Sequence, residues 1–223
     1  LRDVSFELRA GEALGVIGDN GAGKSTLLKT IAGMLEPSAG RLIRRGRIEP
    51  VVEIGSGLNP FLTGRENARL EALLKGMSGP AADHYVAAVA DFANLADGFD
   101  QPVSSYSSGM AARLCFALAT QSRPDVLLID EALAVGDLAF QRRCNRFIED
   151  FLGGGGALML VSHNAVQVQN ICSRALLLDQ GRLLFAGSAV AAVRAMVQRS
   201  GSASAPGRDP DSPLALERFG PVH

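Results

Sequence analysis

The chain has 223 residues, with 22 Lys and Arg against 23 Asp and Glu and a formal net charge of −1. That balance creates no global field to gather nucleic acid or anionic lipid, so no nucleic-acid partner is expected. Hydrophobic residues make up 47% of the chain, enough to fill the core of one or two domains, and no apolar stretch reaches the roughly 18 to 20 residues of a bilayer-crossing helix.

The sequence opens at Leu1 rather than Met and runs straight into a strand-like segment, so the natural N-terminus is expected to lie upstream; no secretory leader is visible. Residues 4–8 alternate apolar and polar, as a half-buried strand does. Residues 9–12 form a turn, and residues 13–17 are a short apolar run of strand type. Next comes Gly18-Asp19-Asn20-Gly21-Ala22-Gly23-Lys24-Ser25-Thr26, which fills the pattern G-x-x-x-x-G-K-[ST] at Gly18, Gly23, Lys24 and Ser25. Residues 25–32 have helical character, ended by Pro37 and Gly40. Short strands are predicted at 41–43 and 51–54, with Gly46 and Pro50 as breakers. Arg41, Arg44, Arg45 and Arg47 form a basic run, read as a solvated turn rather than a binding patch.

The character changes at residue 63. Thr63-Gly64-Arg65-Glu66 fits a capping box, which predicts a helix from there to about Leu74. Residues 76–80 break it, and 81–94 and 108–121 are two further predicted helices. Residues 63–121 thus read as a helical subdomain inserted in an α/β core. Alternation then resumes: a strand at 126–129, a helix at 138–152, a flexible turn at 153–156, a strand at 157–161 and a helix from about Asn164. Strands at 175–178 and 183–185 flank Gly181, and Ser188 is expected to cap a last helix ending near Arg199. Such alternation argues for an α/β fold with a mainly parallel sheet. One domain is expected over residues 1–199. Residues 200–223, rich in Ser, Pro, Gly and Asp, are expected to be a disordered tail. Cys115, Cys144 and Cys172 show neither metal-ligand spacing nor a disulfide framework, and are expected to be reduced, mostly buried thiols of a cytosolic protein.

The glycine-rich loop carries the most chemistry. Glycines let a backbone fold tightly around phosphates where a Cβ would crowd. The exposed N–H groups and the helix N-terminus then face the anion. Lys24 is expected to reach the β- and γ-phosphates, and the Ser25 hydroxyl to bind Mg²⁺. The strand at 126–129 would deliver Asp130 and Glu131 at its C-terminal end, where open α/β sheets place ligands. Asp130 suits Mg²⁺, directly or at one remove; Glu131 suits a base or a positioner for attacking water. His163, after the strand at 157–161, could touch the γ-phosphate and sense its loss, whereas His84 and His223 read as surface residues. Tyr106-Ser107-Ser108-Gly109-Met110, followed by Arg113, opens a helix. A hydroxyl and a glycine there make either a second anion site or an ordinary serine cap.

Taken in order, the phosphate loop, the Ser-Ser-Gly segment, the Asp-Glu strand end and the strand-end histidine resemble the nucleotide-binding subunit of an ATP-binding-cassette (ABC) transporter, over nearly all of residues 1–199. The resemblance implies a P-loop NTPase core with a small antiparallel β part beside the mainly parallel sheet. That family usually has Leu-Ser-Gly-Gly-Gln where this chain has residues 106–110. The Tyr-Ser-Ser-Gly-Met form resembles the branch that exports lipid-linked polysaccharides: O-antigen, capsule-like glycans and teichoic acids. Residues 53–58, 62–67 and 134–137 resemble the same branch. A head-to-tail homodimer is implied, each ATP lying between Lys24 of one copy and Ser107 and Gly109 of the other, with Asp137 on the loop that crosses the interface. The nucleotide-binding residues would then be Gly18, Asn20, Gly21, Ala22, Gly23, Lys24, Ser25, Thr26, Glu53, Ser107, Ser108, Gly109, Asp130 and Asp137. Ser25 and Asp130 would hold Mg²⁺, and Glu131 and His163 would be catalytic. Closure would pass through residues 53–62 to an integral membrane permease subunit at the cytoplasmic face of the inner membrane, with a lipid-linked glycan as cargo.

Three other readings share part of this pattern: a cassette ATPase for lipid, peptide or drug; a soluble cassette protein of DNA repair or ribosome function; and a non-catalytic remnant. Against the second stand the single cassette and the lack of a long coiled-coil insertion. Against the third stand intact Lys24, Asp130, Glu131 and His163. The chain also departs from the family. The glutamine between core and helical subdomain is replaced, with Glu53 nearest. The adenine-stacking aromatic normally lies upstream of the first strand, before this chain begins, and Phe6 is read as core. No long C-terminal glycan-binding domain, as found in some exporters, is expected within these 223 residues.

Overall fold

The computed structural model describes residues 1–51, 57–130 and 137–203, with side chains through Arg199. Its elements run β1 (Ala13–Ile17), α1 (Lys24–Ile31), β2 (Ile48–Val51), α2 (Gly64–Leu74), α3 (Pro80–Ala93), α4 (Ser108–Gln121), β3 (Val126–Asp130), α5 (Leu138–Gly153), β4 (Ala157–Val161), α6 (Ala165–Ile171), β5 (Arg174–Asp179), β6 (Arg182–Ser188) and α7 (Ala189–Ala203). The strands form one sheet in the order β2-β3-β4-β1-β5-β6. Every neighbouring pair is parallel except β5 with β6, which close as an antiparallel hairpin around Gly181. The apolar runs explain this arrangement. Every residue of β1 and of β4 is buried, as strands covered by helices on both faces must be.

Alternate residues of each strand feed two cores. On one face Leu14, Val16, Leu128, Met159 and Leu176 meet Leu27, Leu28 and Ile31 of α1. On the other, Ile17, Leu127, Ile129, Leu158, Leu160 and Leu177 meet α5, α6 and α7 through Phe140, Cys144, Ile148, Val168 and Ala192. This second core continues into α2, α3 and α4. Phe92, Phe116, Phe140, Phe147 and Phe151 stack or meet edge to face at centroid separations of 5.7 to 6.2 Å, and so bind α3, α4 and α5 into one block.

Three predicted strands differ. Residues 4–8 form no strand, although Val4, Phe6 and Leu8 do face the α1-side core as their alternation implied. Residues 41–43 form none either, and Leu42 and Ile43 are exposed. At 4–8 the pattern is right for one buried face, whereas 41–43 buries neither apolar residue, and among the described residues no neighbouring strand completes a ladder for either segment. The strand predicted at 51–54 is observed as Ile48–Val51, its remainder lying outside the described residues. Pro50 lies inside it. β2 is an edge strand of the described sheet, where a missing N–H is tolerated. The last helix continues to Ala203, and residues 204–223, predicted as a tail, lie outside the described residues.

Candidate nucleotide site

β1 delivers the loop of residues 18–23 at its C-terminal end, and α1 begins at Lys24. Gly18 is buried at φ +149°, and a Cβ built there would lie 2.2 Å from the Leu178 carbonyl oxygen of β5. Only glycine lets the loop lie this close to the sheet. The loop is also held from the β5–β6 turn, where the Gly181 N–H donates to the Ala22 carbonyl at 2.9 Å. Lys24 is only 8% exposed and curls back over the loop. Its Nζ donates to the carbonyls of Gly18 at 2.8 Å and Asp19 at 3.0 Å. A buried ammonium requires such partners, and these two hold its charge at the loop.

The Ser25 Oγ donates to Asp130 Oδ2 at 3.0 Å, joining the first turn of α1 to the last residue of β3. A hydroxyl beside a carboxylate is an oxygen-only donor pair, the kind a hard cation such as Mg²⁺ takes. The tight Gly18 turn and the fixed ammonium likewise fit a polyphosphate. β4 lies between β3 and β1, with Val161 opposite both Asp130 and Val16. His163 follows directly and is exposed at the same end of the sheet. Buried Ser162 shapes that turn: its N–H donates to Val16 O at 3.3 Å and its Oγ to Gln167 Oε1 at 3.0 Å, while Asn164 N–H donates to its Oγ at 3.0 Å. Three parallel strands thus carry Lys24, Ser25, Asp130 and His163 to one end of the sheet, beyond the C-terminal ends of its strands. Asn20, Gly21 and Thr26 lie exposed along the loop and first helical turn, while Ala22 is buried. Glu131 and Glu53 lie outside the described residues.

The second predicted anion site belongs to the helical block. Ser107 caps α4, its Oγ accepting from the Met110 N–H at 3.2 Å, so Ser107, Ser108 and Gly109 stand at that helix start. Among the described residues no hydrogen bond links them to the phosphate loop. Asp137 caps α5 by accepting from the Phe140 N–H at 2.9 Å, and it also meets Arg113 Nη2 at 2.9 Å. The Phe140 N–H and the Arg113 guanidinium hold its carboxyl below the usual carboxylate range.

Residues 63–66 read as a capping box and residues 62–67 as a family resemblance; the structure gives each of residues 63–67 a contact or packing task. Thr63 and Glu66 close the predicted capping box. At Gly64 a Cβ would lie 2.4 Å from the Tyr106 hydroxyl, which donates to Gly98 O at 2.7 Å. Arg65 grips Asp100 through two bonds of 2.6 and 3.0 Å. Buried Asn67 donates to the carbonyls of Asn59, Leu62 and Thr63 and so holds the preceding loop. The sequence signal for Arg113 is a cation on the packed face of an otherwise apolar helix.

Comparison with known proteins agrees with this geometry. The family model described as ABC transporter matches residues 1–134. The chain is 46% identical over 193 residues to ABC transporter protein AbcA of Aeromonas salmonicida, covering 86% of this chain and 63% of that protein. It is 43% identical over 189 residues to the O-antigen export system ATP-binding protein RfbB of Klebsiella pneumoniae, covering 85% and 77%. To the teichoic acids export ATP-binding protein TagH of Listeria monocytogenes serotype 4b it is 40% identical over 189 residues, covering 85% and 56%. The chain therefore spans less than two thirds of AbcA and of TagH. In fold it is similar to the ATP-binding subunit of an ABC transporter, with TM-score 0.77 and 24% identity over 92% of this chain and 88% of that one. A dimeric ATP-binding cassette in a post-hydrolysis state, bound to ADP and Pi, is similar with TM-score 0.74 and 23% identity over 85% and 90%. A phosphate loop seated on this sheet order, a family model that covers more than half of the residues and relatives at 40% identity or more place the chain in the ABC transporter family.

Proposed function

We propose that this chain is the ATP-hydrolysing subunit of an ABC exporter that powers transport of a lipid-linked polysaccharide (O-antigen, capsule-type glycan or teichoic acid) across the inner membrane. The observation that carries the ATPase reading is the Ser25–Asp130 contact beside the buried Lys24 ammonium. The cargo class is supported by the names of RfbB and TagH and by the resemblance of residues 62–67 and 106–110 to that export branch.

Lys24 draws the β- and γ-phosphates, and the N–H groups from Gly18 to Thr26 surround them. Mg²⁺ held by Ser25 and Asp130 would neutralise phosphate charge when bound. Glu131, next in sequence after Asp130, orients or deprotonates the attacking water, and His163 stands at the γ-phosphate end. A second copy placed head to tail contributes Ser107, Ser108, Gly109 and Asp137. The transition state is loose and highly charged, so these groups act mainly by position and field. The chain works peripherally at the cytoplasmic face of the membrane, against a permease subunit. Phe61, 86% exposed ahead of α2, and Leu70, Leu73 and Leu74, exposed on α2, are apolar groups available to that partner. Among the described residues no helix is long and apolar enough to cross a membrane.

Steady-state ATPase assays of wild type and Glu131→Gln test the first half of the reading: equal rates would remove Glu131 from catalysis. Affinity purification from membranes tests the second, with a permease and bound lipid-linked sugar expected. Deletion of the gene should trap lipid-linked glycan on the cytoplasmic side, and normal surface glycan in the deletion strain would leave a cassette for another cargo.

A further inference from the structure

We infer that Arg113 is a positioning residue for the ATPase cycle: it clamps the helix that begins with Ser107–Gly109 to Asp137, so that the two segments offered to an opposing copy move as one body. The inference rests on the dimeric ATPase reading above and extends it to a contact made within one copy. Arg113 lies on α4, and its side chain is only 18% exposed. Its Nη2 reaches Asp137 Oδ2 at 2.9 Å, its Nη1 reaches the Asn94 carbonyl at the end of α3 at 3.4 Å, and its Cζ lies 5.2 Å from the centroid of the Phe140 ring of α5. One planar cation therefore touches three elements. Guanidinium suits this place because it can stack on a ring and donate in its own plane at once. Asp137 is itself anchored, because it caps α5 through the Phe140 N–H. Asp137 stands seven positions after Asp130, the last residue of β3.

The binding of ATP to one copy through Lys24 and Ser25 does not involve this clamp, whereas presentation of Ser107, Gly109 and Asp137 to the other copy does. Arg113→Met removes the charge and keeps a stem that packs on Phe140. Asp137→Ser removes the carboxylate and keeps a side chain able to cap α5. Each should lower kcat on the order of tenfold, the scale on which small misplacements act, and weaken ATP-driven dimerisation in a Glu131→Gln background. Each should leave the ATP dissociation constant of the monomer and the melting midpoint close to wild type. The double variant should be no worse than either single one, and Arg113→Lys should rescue part of kcat. Wild-type kcat in folded Arg113→Met, or fully additive losses in the double variant, would overturn the clamp. If Arg113→Met does not fold, folded Asp137→Ser decides alone, and wild-type kcat and dimerisation in that variant overturn the clamp. Failure of wild type itself to hydrolyse ATP or to dimerise with it would remove the underlying reading, and the clamp with it.

Discussion

Two glycines of the phosphate loop should respond very differently to the same added methyl group. At Gly18 the Cβ would stand 2.2 Å from the Leu178 carbonyl oxygen and 3.1 Å from the Ala22 Cβ, with φ at +149°. The obstacle is main chain of a central strand and cannot rotate away. The unfavourable backbone region costs about 1 to 3 kcal/mol, and displacing packed backbone adds about 1 to 3 kcal/mol. Gly18→Ala should therefore destabilise the fold by about 4 kcal/mol, the middle of that sum. At Gly21, φ is +79° and nothing lies within 4 Å of the added carbon. Only the left-handed penalty remains, about 1 to 2 kcal/mol. For a chain of this size 1 kcal/mol moves the melting midpoint by about 2 to 4 °C. Differential scanning fluorimetry should show a fall of about 8 to 16 °C for Gly18→Ala and of about 2 to 8 °C for Gly21→Ala. Melting midpoints within about 2 °C of each other would refute the claim that β5 packs against the back of the loop.

Other outcomes follow from single contacts. Ser25→Ala should lower ATP affinity about tenfold in Mg²⁺, the worth of one charge-assisted contact, and leave it unchanged in EDTA; equal losses in calorimetry under both conditions would exclude a metal role. Thr63→Ala, which opens the capping box of α2, should cost about 1 kcal/mol, whereas Thr63→Ser should be near neutral in thermal unfolding. Burial pushes the Cys144 and Cys172 thiols up to about 12 from 9.0, so the native protein at pH 8 should give one readily labelled thiol, half-buried Cys115. The raised thiols hold neutral forms in the folded state. Their stabilisation is thus complete below about pH 9 and lost as pH climbs towards 12, which alkaline unfolding midpoints will report.

Local patterns were legible wherever chemistry and geometry share a short stretch. The helix predicted at 108–121 and the strand at 157–161 are observed as Ser108–Gln121 and Ala157–Val161, because a cap, a turn or a run of apolar residues marks both ends. The phosphate loop announced Lys24 and Ser25 in the same way. Alternation at 4–8 reports which side of the segment is apolar, and it is silent on whether another strand lies within hydrogen-bonding distance; the short apolar pair at 42–43 reports neither. Arg113 and Asp137 meet only because the phenylalanine cluster brings α4 and α5 together, and no spacing along the chain encodes that. The alternation of strands and helices predicted a mainly parallel sheet, and crossovers of β-strand, helix and β-strand account for it; the order β2-β3-β4-β1-β5-β6 comes from three-dimensional packing.

The two sides of the sheet are unequally insulated. Among the described residues, the cover on the phosphate-loop side is α1, eight residues long, with the half-buried side chains of Val4, Phe6 and Leu8, whereas the opposite side carries α5, α6, α7 and the helical block. A helix that short does not persist unless it is docked. Its amides should therefore exchange with deuterated water well before those of β1 and β4. An anion bound at the start of α1 would slow that exchange about a hundredfold at a hundred times its dissociation constant, so the shortest helix packed on this face of the described sheet is also a sensitive gauge of occupancy.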